Sequence, residues 1–87
     1  MKIKDGFILK EVAGNYVVIA LEESLDFNKV ITVNEVGAFI WNKITEGLDR
    51  DCIIADISRE YNISEDTATS DFDEFIESLK NVGIAED

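Results

Sequence analysis

The segment Lys29-Val30-Ile31-Thr32-Val33-Asn34-Glu35-Val36-Gly37-Ala38-Phe39-Ile40-Trp41 decides the fold. Its first five residues are rich in β-branched side chains, which suit a short strand. At Asn34 the pattern changes period. Val36, Phe39, Ile40 and Ile44 recur at helical spacing, and Trp41 widens the apolar stripe. Asn34 is a good N-cap, and Glu35 stands in the first turn, where the helix dipole favours an anion. Thr32 to Glu35 also has capping-box spacing, so the helix start is fixed only to within a residue or two.

Upstream of this switch the apolar residues suit strands. Phe7 to Val12 is a short β-like run, and Tyr16 to Leu21 is a return strand. Ala13-Gly14-Asn15 lies between them, with Gly and Asn tolerating the positive φ of a tight hairpin. Glu22 to Asn28 is polar apart from Leu25 and Phe27 and reads as a loop. Strands are expected at about 7–12, 16–21 and 29–33, an antiparallel meander.

Downstream the residues suit helices, expected at about 35–46, 50–61 and 65–82. Gly47 stops the first. Asp49 caps the second, whose Ile53, Ile57 and Tyr61 are four apart, and Asn62 suits its left-handed end. Ser64 caps the third, and Ala68, Phe72, Phe75, Ile76, Leu79 and Val82 form one apolar face. Gly83 ends it, and Ile84-Ala85 adds a few extended residues. The 87 residues therefore read as one α+β domain, a three-stranded antiparallel sheet followed by a three-helix, winged-helix-like bundle.

Composition excludes several classes. Nineteen acidic against eight basic residues give a net charge of −11, which opposes phosphate backbones and anionic lipid. The third helix carries Glu65, Asp66, Asp71, Asp73, Glu74 and Glu77 against Lys80 alone, so it is a poor DNA reader despite the winged-helix order. There is no histidine, hence no common general base or zinc ligand, and one cysteine forms no internal disulfide. No apolar run approaches the roughly 18–20 residues of a membrane span, and the N-terminus lacks a signal core. Neither nucleic acid nor membrane is expected as a partner. The carboxylates have no EF-hand spacing, and no cofactor site is expected. The expectation is a cytoplasmic binding protein rather than an enzyme. Cys52, beside Ile53 and Ile54, reads as a small buried apolar residue. Trp41, Phe72 and Phe75, at helical spacing, read first as core.

The third strand is the feature that most suggests a binding role. In a meander it lies at the sheet edge and exposes unpaired backbone groups, with Lys29 its only charged gatekeeper. Beside it the third helix offers a broad apolar face. An edge strand next to such a face is a receptor for an extended peptide. A short, merely tolerated edge is the alternative, and pairing with a second copy into a homodimer is another.

The chain also resembles the PqqD family, named for coenzyme pyrroloquinoline quinone (PQQ) synthesis protein D. The resemblance runs from about Phe7 to Ile84 and is carried chiefly by Val30 to Trp41. Further matches are Tyr61-Asn62-Ile63-Ser64 and the Asp71-Phe72…Phe75…Leu79…Gly83-Ile84 run. It implies a peptide chaperone that binds the leader of a ribosomally made precursor peptide. That chaperone would present the peptide to a modifying enzyme, such as a radical S-adenosylmethionine (SAM) enzyme, in PQQ biosynthesis or another peptide pathway. Carried onto this chain, the backbone of Val30, Ile31 and Thr32 would pair with the leader. Ala68, Asp71, Phe72, Phe75 and Leu79 would line or support the groove, with Leu25 and Phe27 closing one end. Acidic rim residues such as Asp71 and Glu74 would favour a cationic leader. An acidic winged-helix adaptor for a folded protein, or an atypical transcriptional regulator, is the reading from a different class.

Overall fold

A computed structural model describes residues 2–20 and 31–86. In chain order the elements are β1 (Lys2–Ile3), β2 (Phe7–Val12), β3 (Asn15–Ala20), β4 (Ile31–Val33), α1 (Glu35–Thr45), α2 (Arg50–Tyr61), α3 (Glu65–Asn81) and β5 (Ala85–Glu86). The meander and the three helices follow the order expected from the sequence. The expected strand over 29–33 is seen as β4, and residues 21, 29 and 30, like Leu25 and Phe27, lie outside the described residues.

Strands β2, β3 and β4 are neighbours in that order, all antiparallel. Leu9 pairs with Val18, and Val18 with Ile31, so these three form a row on the face packed against the helices. Tyr16 and Val33 continue that face one pair along, while Val17 and Thr32 point the other way.

The β2–β3 connection differs in detail from the sequence expectation. Val12 pairs with Asn15, so Asn15 opens β3 and the turn is Ala13-Gly14. Both turn residues have positive φ, 52° at Ala13 and 83° at Gly14, as a two-residue type I′ hairpin requires. Glycine adopts this without a Cβ penalty, whereas alanine is strained there. Ala13→Asn, which creates the favoured Asn-Gly pair, is expected to stabilise the domain by roughly 0.5–1 kcal/mol. Thermal melting checks this, and an unchanged or lower Tm would contradict the strain.

Each helix begins as its capping residue dictates. Asn34 Oδ1 accepts from Gly37 N at 2.8 Å, which identifies Asn34 as the cap of α1. Asp49 Oδ1 accepts from Cys52 N at 2.8 Å, and Ser64 Oγ from Thr67 N at 3.1 Å. Asn62 closes α2 in the left-handed conformation, its N–H donating to Ser58 O. Helices α2 and α3 meet through Ile53, Ile57, Ala68, Phe72 and Leu79, and Ile40 and Trp41 bring α1 onto the same core.

Cys52 corrects a sequence expectation. It is exposed in the first turn of α2, one position off the stripe formed by Ile53, Ile54 and Ile57. Hydrogen bonding and charge from Asp49 push its thiol pKa up, away from the reactive thiolate.

A two-stranded sheet joins the two ends of the described chain. Ile3 pairs with Ala85 and Lys2 with Glu86, and Lys4 N donates to Ile84 O at 2.8 Å. Ile84 is fully buried beneath this pair, its own N–H held by Leu79 O. The extended residues expected at Ile84-Ala85 stand one position on, at Ala85–Glu86, and their partner was not legible in the sequence.

Candidate functional site

Beside β4 the surface dips into an open groove of about 300 Å³. One wall is the end of β4 and the helix cap, from Thr32, Val33 and Asn34. The floor is the first turn of α1, at Val36 and Gly37. The other wall is α3, through Asp71, Glu74, Phe75 and Ser78. These four helix positions follow i, i+3, i+4, i+7 spacing, so they form one stripe over two turns. Positions 68, 72, 76 and 79 form the neighbouring stripe, which faces the core.

The groove owes its shape to a glycine. A Cβ on Gly37 would stand 2.9 Å from Phe75 Cε1, 3.0 Å from Cδ1 and 3.3 Å from Asn34 Oδ1. The phenyl ring therefore lies directly on the α1 backbone. Phe75 is half-buried and packs against the core while still lining the groove. Below it, Ser78 Oγ donates to Phe75 O at 2.6 Å.

The polar rim is acidic. Among the described residues, Asp71 and Glu74 make no ion pair. Asp73, on another face of α3, is instead paired with Arg50 at 3.1 Å, and Arg50 lies over the Phe72 ring at 5.8 Å. Lys43 and Arg59 both pair with Asp56. Away from the groove, Phe39 and Tyr61 meet edge to face at 5.6 Å, and burial raises the Tyr61 pKa.

The structure thus brings Thr32, Asp71 and Phe75 together. Ile31 is half-buried on the inner face of the sheet, paired with Val18, and does not line the groove. Ala68, Phe72 and Leu79 are buried, behind the groove wall rather than on its surface. Val30 lies outside the described residues. Val33, Val36, Gly37 and Ser78 line the groove without having been singled out. Gly37 did carry a signal. A glycine inside a helix costs up to about 1 kcal/mol relative to alanine, so its presence points to a close approach.

Among the described residues no group of His, Cys, Asp and Glu is arranged to hold a metal ion. No described helix is long and apolar enough to cross a membrane. Sheet order leaves the outer edge of β4 without a partner strand among the described residues.

Comparison with known proteins places these features. No curated protein sequence matches the chain. A solved structure of TbiB1, in complex with the TbiA(beta) leader peptide, is similar to it with a TM-score of 0.79 and 26% sequence identity. That likeness covers 99% of this chain and 95% of the other. The family described as coenzyme PQQ synthesis protein D matches residues 15–85, a span that holds β3, β4, all three helices and every wall of the groove. The chain belongs to the PqqD family.

Proposed function

We propose that this chain binds the extended leader of a ribosomally made precursor peptide along the outer edge of β4 and presents the peptide to a separate modifying enzyme. The observation that carries the reading is the outer β4 edge, which no strand among the described residues pairs, beside a groove with an apolar floor. The backbone of Ile31 and Thr32 would supply the strand pairing, and alternate peptide side chains would enter between β4 and α3. Ala68, Phe72 and Leu79 support the wall from behind, while Asp71 and Phe75 make its surface. The complex of the similar TbiB1 with a leader peptide supports leader-peptide binding here.

Such a protein needs no catalytic group of its own. By holding the leader it raises the effective concentration of the remaining peptide at the enzyme. A radical SAM enzyme is the proposed partner class.

Amide NMR during titration with the leader encoded beside this chain tests the reading. Shifts are expected at Ile31–Val33, Gly37 and one stripe of α3. Phe75→Asp is expected to remain folded and to lose binding by at least about tenfold, because a carboxylate replaces the apolar contact. Absence of shifts at tens of micromolar peptide, with the protein folded, sinks the proposal. Dimerisation through the same edge would appear instead as a concentration-dependent mass in sedimentation.

A further inference from the structure

The Arg50–Asp73, Lys43–Asp56 and Arg59–Asp56 pairs lie away from the groove. Asp73 is neutralised by Arg50 and Asp56 by Lys43 and Arg59. Among the described residues, the two carboxylates at the groove, Asp71 and Glu74, make no ion pair, and the opposite wall of Thr32, Val33 and Asn34 is uncharged. Asp71 is half-buried, so a charge meeting it is screened less by water and salt than one on the open surface.

From this we infer that the peptide occupying the groove carries a Lys or Arg two residues from an apolar side chain, with the apolar group on Phe75 and the cation between Asp71 and Glu74. The inference rests on the peptide-groove reading above and adds the chemistry of the ligand. Its spacing follows from two repeats. Phe75 and Asp71 are four residues apart, about 6 Å along the helix. Side chains at i and i+2 of an extended strand lie on one side, about 6.6 Å apart. One apolar and one cationic side chain therefore match one turn of α3. An acidic residue at the cationic position would meet two carboxylates on a chain already carrying −11.

The test uses capped nine-residue synthetic peptides of Thr and Val with a central Leu. Lys, Gln or Glu is placed two residues to either side of that Leu, or four residues away as a control. Binding is read by fluorescence anisotropy at low and high salt. In one of the two orientations, the Lys peptide is expected to bind about fivefold more tightly than the Gln peptide at low salt, and the Glu peptide most weakly. High salt should shrink the preference. In the double variant D71N/E74Q the Lys-to-Gln ratio should fall to about one. Equal affinity for Lys and Gln, a ratio that survives in the double variant, or equal preference for Lys four residues away overturns the inference alone. Binding of no peptide at millimolar concentration overturns the groove reading and the inference with it.

Discussion

Phe72→Ala is expected to remove about 3–5 kcal/mol of stability, because it empties a large, fully enclosed volume between α2 and α3. Phe72 is only 2% exposed and has Ile53, Ile57, Ala68 and Ile76 within the same core cluster. A domain of 87 residues has about 4–13 kcal/mol in total, so the variant is largely unfolded if the protein lies at the low end. Otherwise it melts at least about 12 °C lower. Phe75→Ala, three positions on, should cost much less, since its ring already has one face in the groove. Urea denaturation followed by circular dichroism separates the two. Equal losses at Phe72 and Phe75 would show that the core and groove stripes of α3 have been wrongly divided.

Gly37→Ala should do the reverse, sparing stability while damaging the groove. Alanine is favoured over glycine inside a helix by up to about 1 kcal/mol. The added methyl, however, meets the Phe75 ring at 2.9–3.0 Å, closer than atoms can sit. The ring is half-exposed and can swing aside, and the space open to it is the groove. A melting temperature within a few degrees of the parent, with leader affinity reduced about tenfold or more, is the expected result. Isothermal calorimetry with the leader peptide reads the affinity directly. Unchanged affinity would mean that the position of Phe75 does not matter to the ligand.

The contrast between these two substitutions also shows where sequence reading stops. Caps and hairpin spacing made the element order legible, because Asn34, Asp49, Asn62 and Ser64 act locally and each does in the structure what its chemistry suggests. The position of β4 at the sheet edge followed from short connections alone. The division of α3 did not. Asp71, Phe75 and Ser78 are each one residue from Phe72, Ile76 and Leu79, a rotation of only about 100°. Apolar side chains stand on both stripes, and periodicity cannot say which of two adjacent stripes meets the sheet. Cys52 went astray for a related reason, lying one position off the Ile53–Ile57 stripe on the solvent side. The β1–β5 pair is too short for any pattern, and only the folded chain brings Ile3 to Ala85.

That small pair has a mechanical meaning. Residues 2–3 and 85–86 run antiparallel side by side, so their backbones are only about 5 Å apart. Polypeptide added before residue 2 or after residue 86 would depart from one spot, like two leads from a single socket. Pulling on both would load the β1–β5 hydrogen bonds first, while β4 and α3, held by other contacts, keep the geometry of the groove. The fold can in this way be tethered to, or spliced into, a larger protein with the β4 edge intact.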